Sequence, residues 1–195
     1  IELYGKEQAY TGGYKVYLTV NSTFQNAAKE AVVNNMLSYD LRHGYRGAIK
    51  SLRQEQSNIN KDINQDGLSN QLDDNEIIEA LQQVKSYQTL IPAVITNVAE
   101  QSANIKLFDI DNNNQKILID GEISWQGMSW AREFINDEIQ GPVPKVANEI
   151  LKYGDVVFVI ETEEGYKLSQ LPQVSSALVS LSPDNGAIKA AVGGF

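Results

Sequence analysis

Cysteine is absent from the 195 residues, histidine occurs once, and methionine and tryptophan occur twice each. Without cysteine there can be no disulfide, no thiolate metal ligand and no cysteine nucleophile. Compartment stays open, because periplasmic and cytosolic proteins can both do without it. Positive charge is scarce as well: 16 Lys and Arg face 25 Asp and Glu, a net charge of −9. That balance argues against nucleic acid as a partner, which demands a basic footprint to neutralise phosphates. No apolar run approaches the roughly 18 residues of a membrane-crossing helix, and no signal peptide is visible, so this segment is expected to make no membrane contact. What is present is an ordinary globular mixture, 42% hydrophobic and 21% charged, able to bury a core in one large or two small domains. Beginning at Ile1 and stopping on an apolar segment at Phe195, the chain reads as a piece of a longer protein.

The most legible stretch is 154–172. Val156 to Ile160 is a β-branched and aromatic run suited to a buried strand, Glu163-Glu164-Gly165 is a reversing turn, and Tyr166, Leu168 and Gln170 alternate with Lys167 and Ser169. Pro172 ends the returning strand because it cannot donate to a ladder. A lone hairpin is not stable in water, so this one needs partners. Leu90 to Val98 supplies one strand, with Pro92 placing its start at a sheet edge; Ser102 to Phe108 and Lys116 to Ile119 supply two more around a turn at 111–114. Lys145 to Lys152 has the apolar spacing of a two-turn helix. Three strands, a connection with a short helix, then two strands is the order of an OB-like barrel, which buries its edges by closing. The fold class expected is therefore mostly β with helices, α+β: a five-stranded OB-like barrel attached to a small sheet and one long helix.

That helix is predicted from about Thr23 to Leu41, by Phe24, Ala27, Ala28, Ala31 and Val32 at helical spacing, with Asn21 or Ser22 as N-cap and Gly44 just past its end. Arg42 and the sole histidine, His43, fall in its last turn, where His43 reads as a packed or capping residue rather than a catalyst. Tyr14, Val16, Leu18 and Val20 alternate as a strand before it, and 177–181 with 187–192 flank a hairpin turn after the barrel.

Between helix and barrel the composition turns to Asn, Asp, Gln and Ser. Asp62, Asn64, Asp66, Asn70 and Asp73 place side-chain oxygens at positions 1, 3, 5, 9 and 12 of a loop, Leu68 offers its carbonyl at 7, and Gly67 stands at 6. This is the spacing of a calcium loop: a hard cation takes six or more oxygens, and the glycine lets the backbone turn sharply enough to converge them. Ca2+ is accordingly the one cofactor the residues suggest, although a solvated acidic connection that binds nothing tightly has the same composition. Trp125 and Trp130 could stack on sugars, making a glycan-binding barrel a further alternative, but as core or buttress residues they need no ligand.

Several segments together resemble one family: Tyr14 to Val20, Tyr39-Asp-Leu-Arg-His-Gly-Tyr-Arg-Gly47, Trp130-Ala-Arg132 with Gln140-Gly-Pro142, and Gln170-Leu-Pro-Gln-Val174 through Ala177–Ala187 to Gly193-Gly-Phe195. In this order they resemble the penicillin-binding protein 1A family, class A bifunctional peptidoglycan synthases of Gram-negative bacteria. The resemblance implies a linker and an OB-like domain inserted between a glycosyltransferase and a transpeptidase: 1–52 as linker strand and helix, 53–88 as an acidic insertion, 89–172 as the OB-like domain and 173–195 as a linker hairpin. No Ser-x-x-Lys, Lys-Thr-Gly or Lys-Ser-Gly occurs here, and no glycosyltransferase glutamate motif is recognisable, so no catalytic role carries over to any residue. The resemblance implies instead a non-catalytic docking segment for an outer-membrane lipoprotein activator or another cell-wall synthesis protein, periplasmic, in a protein anchored in the inner membrane.

Overall fold

The computed structural model describes residues 5–53 and 72–194. In chain order the elements are helices α1 (Lys6–Thr11) and α2 (Ser22–His43), the two-residue strand β1 (Lys50–Ser51), helix α3 (Asp74–Gln82), strands β2 (Ile91–Val98), β3 (Ser102–Ile110) and β4 (Lys116–Ser124), the short helix α4 (Trp125–Met128), a 3-10 turn (Ala147–Glu149), and strands β5 (Asp155–Thr162), β6 (Gly165–Ser169), β7 (Ala177–Leu181) and β8 (Ile188–Gly193). They fall into two compact units, Asn35–Val174 and a smaller one composed of Ile1–Asn34 with Ser175–Phe195.

The larger unit is the barrel. β2, β3 and β4 form an antiparallel meander, β5 lies antiparallel on the free side of β2, and β6 turns back along β5. β6 then meets β4 in parallel at Ile123 and Tyr166, which closes the cylinder and satisfies the edges that an open sheet would expose. This is the α+β, OB-like architecture that the strand order predicts. Pro92 sits as expected: it is paired across to Phe158 of β5, at a level where the ladder to β3 has not yet begun, so its missing N–H costs no bond to β3.

The hydrophobic patterns explain which faces are covered. In β3, Ala103, Ile105 and Leu107 are buried and their neighbours are not, as one-sided burial requires. β2 and β5 read instead as continuous apolar runs because both their faces are covered. Ala93, Ile95, Val157 and Val159 join the barrel core, while Val94 and Val156, paired in register, join a second cluster with Ile77, Ala80 and Leu81 of α3. Strand β4 runs five residues further than the apolar run at 116–119 indicates, since Asp120-Gly121-Glu122 interrupts the alternation. Gly121 serves the closure: a Cβ there would stand 2.6 Å from Cε2 of Tyr166, whose ring lies on it.

Two expected elements are corrected. Residues 14–20 belong to no strand; Val16, Tyr17 and Leu18 are exposed, and the bond from Thr19 to β8 is a side-chain one, its hydroxyl donating to Ile188 O, so the alternation is not turned into a backbone ladder. The two-turn helix at 145–152 is a single 3-10 turn: Val146 is extended at φ −139°, ψ 154°, and the Lys152 N–H, which a longer helix would give to Asn148 O, is taken by the Asp155 carboxylate.

In the smaller unit, β7 and β8 form the expected antiparallel hairpin, with Gly186 at φ +69° in its turn. Asn21 caps α2, its Oδ1 accepting from the N–H groups of Thr23 and Phe24. The Gln25 carboxamide makes both hydrogen bonds of a strand neighbour to Ala191, and Asn21 N–H donates to Lys189 O, so the helix start is stitched to the β8 backbone.

Candidate functional site

The three sequence segments 39–47, 130–142 and 170–172 converge within the larger unit into one hydrogen-bonded knot against the barrel core. It is built where the chain leaves α2. Gly44 adopts φ +101°, and a Cβ there would lie 3.0 Å from Arg132 O and Phe134 Cα; only glycine allows that turn and that closeness together. Tyr45 then donates its N–H to Arg132 O (2.6 Å) and accepts from Phe134 N–H (2.9 Å). Arg132 Nε donates to Gly141 O at 2.8 Å, Gly141 N–H donates to Glu133 O, and the Gln140 side chain donates to Arg42 O.

The point where the chain leaves the barrel is fastened to the same place. Gln170, buried, accepts Arg46 N–H at 2.9 Å and donates to Gly44 O at 2.7 Å. Arg46 closes the knot as a fork: Nη1 and Nη2 take the two carboxylate oxygens of Asp40 at 2.9 and 2.8 Å, and Nη2 also reaches Leu171 O at 2.8 Å. Asp40's side chain is only 4% exposed and Arg46's 18%. A carboxylate so buried is tolerable because the guanidinium engages both of its oxygens.

The sole histidine is packed, as read: its Nδ1 lies 2.7 Å from Tyr39 O, and its ring stacks on Tyr39 at 3.9 Å between centroids. Both tryptophans rest against the barrel core. Trp130 donates its indole N–H to Leu168 O and meets Tyr45 edge-on at 5.9 Å, the posture of a buttress. Of the candidate calcium ligands, Asp62, Asn64, Asp66, Leu68 and Asn70 lie outside the described residues. Asp73 is described, and it caps α3: its Oδ1 accepts the N–H groups of Asn75 and Glu76, while Glu76 returns a bond to the Asp73 N–H.

Two clefts flank this architecture. One of about 830 Å³ lies beside α3 and is bordered by Arg53, Lys106 and Tyr153; Lys106 is paired with Asp74 at 2.6 Å and Arg53 stands over the Tyr153 ring. The other, about 640 Å³, runs along Tyr45–Ser51 and is bordered across by Glu133, Phe134 and Ile150. Its buried polar groups, Tyr45 and Asp155, were not legible in advance, since a tyrosine after a helix and an aspartate before a strand carry no spacing signal.

A five-stranded barrel whose entry and exit are tied together defines an OB-like domain, with no catalytic constellation among the described residues. The sequence matches the penicillin-binding protein OB-like domain over residues 45–174, and the chain belongs to that family. It is similar over its whole length to penicillin-binding protein 1A of Vibrio cholerae serotype O1, at 41% identity, and of Escherichia coli K12, at 36%. It spans 22% and 21% of those relatives' lengths. The 2.6 Å crystal structure of penicillin-binding protein 1A from Haemophilus influenzae matches all of this chain and 24% of that one, with 33% identity and a TM-score of 0.61.

Proposed function

We propose that this chain is the non-catalytic linker and OB-like docking segment of a penicillin-binding protein 1A. In this reading it lies in the periplasm, within a protein anchored in the inner membrane, and serves peptidoglycan synthesis by receiving a regulatory partner such as an outer-membrane lipoprotein activator. The observation that carries this is the whole-chain similarity to 1A proteins combined with coverage of about a fifth of their length, over an OB-like region. The knot at Gly44, Arg46 and Gln170 supports it, because a domain fastened at both ends can pass a partner's binding energy to its flanks. A partner shifts the flanking glycosyltransferase and transpeptidase only if it prefers one of their arrangements. The test is to expose the isolated chain to a fluorescent penicillin and to lipid II, and the full-length protein to the lipoprotein activator. The expected outcome is no acylation and no polymerisation by the chain, with stimulation of the full-length protein by the activator; covalent labelling of any serine in the chain refutes the reading.

The loop from Asp62 to Asp73 stays in the proposal as a calcium site, supported by α3 beginning at Asp74, directly after the loop's last position. Calorimetry of the unmutated protein beside Asp66→Ala tests it: a calcium isotherm lost in the variant is expected, and identical isotherms end the idea.

A further inference from the structure

The barrel closes through a single residue pair, Ile123 of β4 with Tyr166 of β6, and that closure reaches only the end of β4. β6 begins at Gly165, beside Glu122: a Cβ on Gly165 would stand 3.3 Å from Glu122 O. Residues 116–120 of β4 pair with β3 on one side, in unbroken register from Ile110 opposite Lys116 to Lys106 opposite Asp120, and with no described strand on the other. The phase of the ladder decides which groups stand open. Asp111 N–H donates to Gln115 O at 2.9 Å, so the bonded pairs of this antiparallel ladder fall at alternate positions from there, on Ile117 and Ile119. The N–H and C=O groups of Lys116, Leu118 and Asp120 therefore point away from β3, and none of them has a backbone partner among the described residues. Extended backbone left open in this way is a template for another strand.

The side chains of the edge say which strand fits it. Lys116-Ile-Leu-Ile-Asp120 reads as a base, three apolar residues and an acid. Laid antiparallel on a second copy and centred on Leu118, it sets Lys116 of each copy opposite Asp120 of the other, Ile117 opposite Ile119, and Leu118 opposite Leu118. Opposite charges directly across a strand pair stabilise it, and like charges do the reverse. The pairs at 116, 118 and 120 are also those whose backbone groups are open, so each can exchange two N–H···O bonds. A register shifted by two residues loses the match: it puts Asp120 against Leu118 and brings Lys116 to Glu122, where β6 already sits. Both charges are exposed at the edge. Lys116 rests over the Phe108 ring at 5.6 Å, and Asp120 lies across from Lys106, itself ion-paired with Asp74. Five paired residues make a small interface, so the association is weak and depends on concentration.

We propose that two copies of this chain pair edge to edge through residues 116–120, antiparallel about Leu118. The proposal goes beyond the docking reading and does not depend on it. The test is cysteine cross-linking in the full-length protein, with any cysteine outside this chain replaced by serine, since this chain has none. Leu118→Cys should give a disulfide-linked dimer on oxidation, because the two residues at the centre of the pairing lie about 5.5 Å apart between Cα atoms, within disulfide reach. Lys116→Cys alone should not, since its two copies stand about 14 Å apart, but mixed with Asp120→Cys it should. Charge reversal reads the same register without disulfide chemistry. Lys116→Glu sets carboxylates against each other at both ends and should weaken self-association about tenfold in sedimentation; adding Asp120→Lys to the same chain should restore it. No dimer from Leu118→Cys, a dimer from Lys116→Cys alone, or no recovery in the doubly reversed variant overturns the proposal. If Leu118→Cys gives no dimer while the lipoprotein activator slows amide exchange at Leu118, the edge belongs to that partner and self-pairing is refuted.

Discussion

Asp40 and Arg46 lie on either side of the Gly44 turn, and their pairing is worth most as protection against its own loss. Removing the guanidinium leaves a carboxylate that is 4% exposed facing nothing, and breaking a buried pair on one side costs about 3–5 kcal/mol. Arg46→Ala is therefore expected to lower the urea midpoint severely. Arg46→Lys should recover only part of it, since an ammonium cannot span both oxygens of Asp40 and Leu171 O in one plane. Replacing Asp40 and Arg46 together by Leu and Met should cost less than Arg46→Ala alone. Tyr45 gives a second residue-scale test. Its pKa is raised by burial, then by Asp155, so the folded state holds the proton that the unfolded state releases above about pH 10. The stability this confers is complete below that pH and declines as pH rises through the unfolded value toward the folded one. Urea midpoints measured at pH 8 and pH 11 should differ more for the unmutated protein than for Tyr45→Phe.

Among the elements, α3 is held by packing on one side and by its cap at the start. Asp73→Ala removes a complete capping box, which costs about 1 kcal/mol; faster amide exchange at Asn75 and Glu76 is the expected sign, with the barrel strands unaffected. The strands of the barrel were legible because burial on one face writes a period of two and burial on both faces writes a continuous run. The second half of β4 was not, since Gly121 answers to the Tyr166 ring on another strand, a contact no local pattern encodes. Residues 14–20 show the reverse failure: their alternation is genuine, but pairing is a property of two segments. At the knot, sequence resemblance picked out Gly44, Arg46, Arg132 and Gln170 as parts of separate segments, and nothing in their spacing says that they meet. The candidate calcium loop was legible only as spacing, and of its side-chain ligands the fold describes Asp73 alone.

At the scale of the whole molecule, the barrel is an excursion that returns to its starting point: Gln170 donates to Gly44 O across 2.7 Å. Replacing residues 45–170 of the full-length protein by a short Gly-Ser linker should thus leave the flanking chain folded. Under the proposed function, that variant keeps its acylation by fluorescent penicillin and loses stimulation by the activator; an unchanged response would place docking elsewhere.

The same closure governs how the chain carries tension. A pull applied through the polypeptide on either side of the barrel passes from Gly44 and Arg46 to Gln170 and Leu171 through hydrogen bonds, and the strands between are bypassed like a loop of slack rope held by a knot. Stretching in a force spectrometer should meet resistance first at that knot, and only after it slips would the cylinder begin to unravel.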